Sequence, residues 1–477
     1  MSIELGASTQ SPYVFDKNRI EQFLAFGFVP EPDDPEPLAL LREWSREPRR
    51  NLADVSVAGL VREGAAAMRA AVEECAVRAG SAGEQVVFLS GGLDSRMILA
   101  ALLESFDRSQ IVAATFGRPG ERDFDYAARV ATVAGVRHET LDSSTVEWTT
   151  AGLVDSVLAR QVPMPFPFGQ RYLSYLLHER IGREHVFWDG LCGDVVGGSR
   201  STKKGETWQW SAAIEQFQVF HLRRGYGKTV SADFDPGAGM PAAPFCSDTL
   251  MPYPDQLIFG VRQRAYTSTR LLRDYRICTP FLVQPWLDFM LRVPARLRND
   301  KYLYQEIQKR AYPRLFSLPT TAYDGGAVLE SGFTRTSRGL RRRVLSKAMR
   351  MGLPVLRGPV PEAGANAAIR ASYRVPGATL DLVRENLTDL AARGLIDWTD
   401  PASFIPGGHG REAGDEPSES DITRLLGLEL NLKAADRLTT LRDGDQHGSA
   451  ASSAGSSVES AGLVASAESV ESVESAG

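Results

Sequence analysis

The stretch Val86–Leu102, VVFLSGGLDSRMILAAL, decides the fold of this chain. Its apolar start predicts a short buried strand, and its apolar end predicts a helix. Between them, Gly91 and Gly92 form a turn that leaves unpaired backbone N–H groups at a helix N-terminus, where an anion is favoured. Glycine lets a phosphate approach the backbone closely, and the hydroxyls of Ser90 and Ser95 add donors. The stretch therefore predicts either a phosphate site or an ordinary glycine turn before a capped helix.

Asp94 favours the first interpretation. A carboxylate beside a phosphate repels it unless a cation such as Mg²⁺ bridges the two. The stretch thus predicts a combined anion and metal site. A second candidate, GYGKT at Gly225–Thr229, does not fit the pattern GxxxxGK[ST], because Leu222 stands where its first glycine is required.

Strand and helix patterns alternate along the first half of the chain. This alternation is typical of an α/β fold, a parallel sheet with helices packed on its faces. Asp123 and Asp125 are placed to cap the third of the helices. The predicted strands are Val86–Leu89, Gln110–Phe116 and His185–Trp188, and the predicted helices are Val57–Val77, Arg96–Leu103, Tyr126–Ala134 and Gln170–Ile181.

Composition excludes several other classes of protein. The 477 residues carry a mild net charge of −5, which does not favour a nucleic-acid partner. The four cysteines are scattered without a CxxC pair, so neither a zinc site nor a disulfide framework is predicted. The N-terminal residues lack a signal-peptide pattern, and no apolar run is long enough to span a membrane. We therefore expect a cytoplasmic protein.

Ser90–Ser95, SGGLDS, resembles the pyrophosphate-loop signature of the ATP pyrophosphatases. These enzymes cleave ATP between its α and β phosphates, transfer AMP to a carboxylate or carbonyl oxygen, and release pyrophosphate. Val186–Gly198, VFWDGLCGDVVGG, resembles the asparagine synthetase segment (L/V)SGEGADExFGG, with Gly190, Asp194 and the closing glycine pair in matching places. The resemblance implies that Asp94 and Asp194 together hold Mg²⁺.

Arg276–Arg310 resembles the asparagine synthetase stretch RxPFLDxxLVEFxxxLP…KxxLR. Lys301, one of only eight lysines in the chain, falls where that family has its catalytic lysine. Thr115–Ala134 is similar to the segment that flanks the adenine. Phe23–Pro32, FLAFGFVPEP, resembles the connector that follows the glutaminase domain of asparagine synthetases. The first cysteine is Cys75, so we expect no glutaminase unit with an N-terminal cysteine nucleophile.

The resemblance implies an asparagine synthetase-like synthetase domain of the adenine nucleotide α-hydrolase-like (HUP-type) fold, with a mostly helical C-terminal part. It implies ATP and Mg²⁺ as cofactors and an ATP-dependent ligase that adenylates a carboxylate. Asp94 and Lys301 are then catalytic, and Asp94 and Asp194 bind the metal. The implied ATP-binding residues are Leu89, Ser90, Gly91, Gly92, Asp94, Ser95, Phe116 and Gly190.

Two departures leave the substrate open. Where the family segment has glutamates, this chain has Leu191 and Val195, and the first of those glutamates is implicated in amide formation. The carboxylate could belong to a small molecule, a sugar or a peptide. The nitrogen could come from ammonia, a separate glutaminase or an amine of the substrate. The alternatives are a non-catalytic nucleotide-binding scaffold and another pyrophosphate-loop enzyme, such as an RNA-modifying one.

The resemblance and the composition together divide the chain into four predicted parts. Residues 1–75 are a connector and a helix, 76–330 the synthetase domain, and 331–443 its helical extension. Residues 444–477 are a Ser-, Ala- and Glu-rich acidic tail, predicted to be disordered. Arg335–Arg350 is a basic helix candidate, either a solvated face or a surface for an anionic ligand, partner or membrane. The last predicted helix is Ile422–Ala435.

Overall fold

The structure is a computed structural model. It describes residues 15–30, 56–80, 83–160, 163–164, 168–198, 209–222, 226–248, 250–263, 272–323, 325–329, 370, 372–407 and 417–454, the last of these from 441 onward by backbone alone. The basic segment 335–350 lies outside the described residues. No described helix is long and apolar enough to cross a membrane.

A five-stranded sheet, with every strand parallel to its neighbours, forms the centre of the fold. Its strands are β1 (Gln85–Phe88), β2 (Ile111–Gly117), β3 (Arg137–Asp142), β4 (Val186–Trp188) and β5 (Arg276–Cys278). Their order across the sheet is β3-β2-β1-β4-β5, so the direction of winding reverses between β1 and β4. The predicted parallel α/β fold is confirmed.

Both faces of the sheet are covered by helices. On one face, Val87 and Trp188 belong to the main core with α2 (Val57–Ala79) and α3 (Asp94–Ser105). On the other face, Val86 and its neighbours pack against α6 (Gly169–Ile181). Burial on both faces explains the continuous apolar runs of the central strands. The remaining helices around the sheet are α4 (Arg122–Ala134) and α5 (Thr150–Leu158).

The part of the chain after β4 is mostly helical, as predicted. Its described helices are α7 (Gly193–Val196), α8 (Trp210–His221), α9 (Tyr253–Leu257), α10 (Gln284–Arg292), α11 (Ala295–Arg298), α12 (Tyr302–Ala311), α13 (Pro313–Phe316), α14 (Ala378–Ala392) and α15 (Glu419–Ala454). An N-terminal helix, α1 (Lys17–Phe26), packs against α15. The Arg424 guanidinium donates a 2.9 Å hydrogen bond to the carbonyl oxygen of Leu24 across this contact.

Helix α15 continues past its predicted end. It runs to Ala454 and so enters the segment from 444 for which disorder is predicted. Extending an existing helix needs only propagation, and the alanines near position 450 favour it. Helix α2 begins after its cap Ser56, whose hydroxyl accepts from the Gly59 N–H, and it crosses the predicted boundary between residues 75 and 76.

Two strands and one cap differ from the sequence predictions. The strands missed are β3 and β5, which are the two edges of the sheet. An edge strand needs no continuous apolar run, and β3 reads RHETLD with no buried residue. The predicted capping role of Asp123 and Asp125 is wrong, because Glu121 occupies the N-cap and both aspartates lie inside the first turn of α4.

Candidate active site

The loops after β1 and β4 meet where the sheet order reverses. In open parallel sheets, ligands bind in the crevice outside the carboxyl ends of the strands at such a reversal. One loop carries SGGLDS and the other carries the glycine-rich segment with Asp194. The two stretches that the sequence singled out are therefore neighbours in space, although about a hundred residues separate them in the chain.

Asp94, the first residue of α3, is the centre of the site. The Tyr304 hydroxyl donates a 2.7 Å hydrogen bond to Asp94 Oδ1, and the backbone N–H of Asp194 also donates to the carboxylate. Dense protein surroundings raise the pKa of Asp94 to about 6, and the like charge of Asp194 adds to this, while the Lys301 ammonium opposes it. The three predicted charged residues thus lie together.

Glycines bring the Asp194 segment against Asp94. A Cβ at Gly190 would stand 3.1 Å from Asp94 Cβ, and one at Gly193 would stand 2.9 Å from Asp94 Cγ. A side chain at either position would push the two loops apart. Between these glycines, Cys192 adopts a positive φ of 64°, which starts the short helix α7 and sets Asp194 in its first turn.

Lys301 is held by an unusual backbone. Asp300 and Lys301 have positive φ values of 54° and 61°, just before α12 begins. Of the four described non-glycine residues with positive φ, these two and Cys192 belong to the site segments. Such conformations cost about 1–3 kcal/mol each and persist only where the surroundings enforce them.

Gly197 and Gly198 enforce the position of α12. Gly197 packs on the Tyr304 ring, where an added Cβ would meet Cγ at 3.2 Å. Gly198 has a φ of 89°, and a Cβ there would overlap the carbonyl oxygen of Arg298. The two closing glycines of the segment therefore let it interlock with the chain that presents Lys301.

The SGGLDS loop, Ser90–Ser95, is fixed by hydrogen bonds. The Ser90 N–H donates to Ser95 Oγ at 3.1 Å, and the Gly92 N–H lies 3.2 Å from Ser90 Oγ. The Gly91 N–H donates to Asp123 Oδ1 at 2.9 Å. Within the loop, Ser90 and Gly92 keep accessible surface, as do Asp94, Asp194 and Lys301 across the site.

Residues 63–249 match the family model of asparagine synthase. The chain carries an asparagine synthetase-like synthetase domain. The match includes β1 to β4, the SGGLDS loop and both predicted metal ligands, and it ends before Lys301. No curated protein is matched by the chain. The family is one of ATP-dependent amidation ligases, so its model supports an ATP-binding ligase domain here.

The residues expected to surround the nucleoside occupy two sides of the sheet in this synthetase domain. Leu89 is buried in the main core, and its carbonyl oxygen accepts a 2.8 Å hydrogen bond from Thr115 Oγ1. Phe116 lies near the carboxyl end of β2 on the opposite face, with its ring 6.3 Å from that of Phe88. Gly190 borders Asp94 directly. Contact of all three with a nucleoside stays a prediction.

The Arg276–Leu282 motif divides into two structural roles. The Arg276 guanidinium donates to the carbonyl oxygens of Ala79 and Glu184 at the amino end of β5, away from the site. Phe281 is fully buried and packs edge-on against Tyr304 at 6.1 Å. Phe281 therefore supports the site by packing against Tyr304. The hydrogen bonds of Arg276 connect the edge strand β5 to neighbouring segments.

The donor set fits Mg²⁺ bound together with a nucleotide. Among the described residues, no group of three or more His, Cys, Asp or Glu side chains could hold a metal ion. The Asp194 carboxylate lies close enough to Asp94 to raise the pKa of that carboxyl. Mg²⁺ is commonly bound by one or two carboxylates with substrate phosphates and waters as its other ligands. The unfavourable pairing of two carboxylates is what a divalent cation would relieve.

Tyr304, Arg96 and Thr320 are site residues that the sequence analysis missed. Tyr304 stands where the quoted pattern KxxLR has leucine, three residues after Lys301. Arg96 is a charge within an apolar helical run. Those departures were the available signals. No sequence signal marked Thr320, because the loop residue that it contacts lies more than two hundred positions away in the chain.

Proposed function

We propose that this protein is an ATP-dependent, amide-forming ligase that adenylates a carboxylate and releases pyrophosphate. The observation that carries the proposal is the convergence of Asp94, Asp194 and Lys301 beside the SGGLDS loop at the reversal of the sheet. Two acids and one base there are suited to a metal-bound polyphosphate. The asparagine synthase match over residues 63–249 supports the same reaction class.

In this proposal each residue has one task. Ser90, Gly92 and Ser95 supply donors to the pyrophosphate portion of ATP, and Asp94 and Asp194 hold Mg²⁺. When bound, Mg²⁺ would neutralise charge on the phosphate oxygens and orient them for displacement. Lys301 lies close enough to Asp94 to lower its pKa, so its ammonium can also stabilise the negative charge that develops as pyrophosphate departs.

The proposed reaction has two steps. A carboxylate oxygen of the substrate attacks the α-phosphorus of ATP, and the bond to the bridging oxygen of pyrophosphate breaks. An amine nitrogen then attacks the acyl carbon and displaces AMP, with loss of a proton. The amine would be ammonia, the product of a separate glutaminase, or a group of the substrate itself. We place this reaction in the cytoplasm, with a small-molecule, sugar or peptide carboxylate as substrate and no nucleic acid.

One observation favours a different nitrogen chemistry from that of asparagine formation. Leu191 and Val195, at the two glutamate positions of the family segment, are 5% and 3% exposed and belong to the main core. Neither can move a proton or orient ammonia. The same observation supports the second candidate, a nucleotide-binding protein without catalytic turnover. The absence of these two acids affects the amine step, whereas the proposed metal-binding residues Asp94 and Asp194 are present.

The test is pyrophosphate release from Mg²⁺-ATP, measured across a panel of carboxylates with and without ammonia. Release that disappears in Asp94→Asn and in Lys301→Met, but persists in the exposed control Asp125→Asn, supports the ligase. ATP binding with no release on any substrate supports the non-catalytic protein. Release that requires tRNA would instead identify an RNA-modifying enzyme.

A further inference from the structure

Arg96 is a buried cation directly behind the phosphate-binding loop. Its side chain is fully buried in α3, and its guanidinium donates hydrogen bonds to carbonyl oxygens and lies 5.9 Å from the centre of the Phe316 ring. No carboxylate of the described chain pairs with it, and burial lowers its pKa to about 10. The hydrogen bonds run from Nη1 to Leu315 and Leu318, both at 3.2 Å, and from Nη2 to Gly91 at 3.3 Å and Pro319 at 2.8 Å.

Another fully buried arginine, Arg424, has a carboxylate partner that Arg96 lacks. Arg424, equally buried, pairs with the Asp421 carboxylate one turn away on its own helix. An ion in the protein interior is costly unless an opposite charge compensates it. The carbonyl dipoles and the Phe316 ring stabilise the guanidinium but carry no net charge, and its buried Nε has no hydrogen-bond partner among the described residues. An anion bound by the loop would supply a compensating negative charge.

Arg96 also determines how the loop backbone is turned. The Gly91 carbonyl oxygen accepts from Arg96 Nη2, from Thr320 Oγ1 at 2.8 Å and from the Thr321 N–H at 3.0 Å. A trans peptide is planar, so the N–H of Gly92 points away from the Gly91 oxygen. Three donors that hold this oxygen on the inner side therefore turn the Gly92 N–H to the opposite side, where it lies 3.2 Å from the Ser90 hydroxyl oxygen.

We propose that Arg96 is a positioning residue for pyrophosphate: it orients the Gly91–Gly92 peptide and provides the buried positive charge that a bound polyphosphate balances. The inference rests on the proposed function of the loop and adds a residue to it. It also makes the segment from Leu315 to Thr321 part of the phosphate site, because that segment supplies the carbonyls and hydroxyl that hold the guanidinium and the loop together.

The test measures the binding of inorganic pyrophosphate to the full-length protein. The dissociation constant of pyrophosphate is measured by calorimetry, at two salt concentrations, for wild type, Arg96→Met and Arg96→Lys. Loss of a buried charge next to the loop is expected to weaken pyrophosphate binding in Arg96→Met by about tenfold or more and to flatten its salt dependence. Arg96→Lys keeps the charge and should recover most of that salt dependence.

Arg160→Met is the matched control. Arg160 is also buried and donates to carbonyl oxygens, those of Ser156 and Arg171, away from the loop. It should lower the melting temperature while pyrophosphate binding stays at the wild-type value. If Arg96→Met does not fold, Thr320→Val removes a second donor to the Gly91 oxygen and should weaken binding about threefold, as expected for one neutral hydrogen bond.

Three outcomes would overturn the inference. Folded Arg96→Met could bind pyrophosphate as wild type does, Arg160→Met could weaken binding equally, or Arg96→Lys could lose the salt dependence. A wild-type chain that binds neither pyrophosphate nor Mg²⁺-ATP would overturn the proposed function itself, and this result is distinguishable because it appears before any substitution.

Discussion

Replacing Asp94 by asparagine is expected to stabilise the fold at neutral pH and to abolish pyrophosphate release. Asp94 is held against Asp194 in dense surroundings that raise its pKa from 3.8 to about 6. Asparagine is nearly isosteric and can still accept the hydrogen bond from Tyr304, but it carries no charge. The substitution thus removes an unfavourable charge and retains the shape of the site.

The magnitude follows from the two pKa values. Each unit of difference between the folded and unfolded pKa corresponds to about 1.4 kcal/mol. Ionisation of the carboxyl therefore lowers the free energy of unfolding by up to about 3 kcal/mol. A carboxyl whose folded pKa is raised favours folding when protonated. Its ionisation cost is therefore absent below about pH 4, grows between pH 4 and pH 6, and is complete above that range.

The assay is chemical denaturation of Asp94→Asn and wild type in EDTA, without nucleotide, from pH 4.5 to pH 7.5. The advantage of the variant should grow with pH, whereas the exposed control Asp125→Asn should show no such trend. Mg²⁺-ATP should then stabilise wild type alone and reverse the order. A difference in stability that does not change with pH would refute the reasoning, as would a variant that still releases pyrophosphate.

Three further predictions concern the surroundings of that carboxylate. Tyr304→Phe removes a charge-assisted hydrogen bond of about 1.5–3 kcal/mol, so the Mg²⁺ concentration needed for half-maximal ATP binding should rise at least tenfold, while the exposed Tyr302→Phe leaves it unchanged. Gly198→Ala should lower the free energy of unfolding by about 1–3 kcal/mol or more, and activity with it, because its positive φ and the carbonyl packed against it leave no room for a methyl group. Leu191→Glu, which restores the family's acid, should cost several kcal/mol in denaturant unfolding without creating asparagine synthesis, since the position is buried in the apolar core.

The sequence predicted the centre of the fold and the charged residues of the site. The strands β1, β2 and β4 are apolar because both faces of the sheet are covered. Their continuous apolar runs could therefore be recognised in the sequence. Asp94, Asp194 and Lys301 each follow a motif, and the parallel order of the strands brings the loops of the first two together. The edge strands β3 and β5, being short or polar, carried no comparable pattern.

What could not be predicted depends on contacts between distant parts of the chain. Arg96 reads as an ordinary polar position until the segment from Leu315 to Thr321 folds over it. Asp123 reads as a helix cap, but its carboxylate accepts instead from the Gly91 N–H and lies 3.3 Å from the Thr321 hydroxyl. No local rule of spacing or propensity contains this information, because the partner of each residue is decided by tertiary packing.

The contact between α1 and α15 has a consequence for how the chain is made. Seven successive residues of α1, from Ile20 to Phe26, are buried, and the Arg424 bond to Leu24 spans 400 residues of sequence. A ribosome therefore releases this helix, with its cluster of apolar side chains, long before it synthesises the partner that covers it. During that interval the emerging chain presents Phe23 and Phe26 to its surroundings, which is the kind of surface that holdase chaperones recognise. Ribosomes stalled before Glu419 should accordingly carry nascent chains that such a chaperone retains, and those stalled well beyond α15 should not.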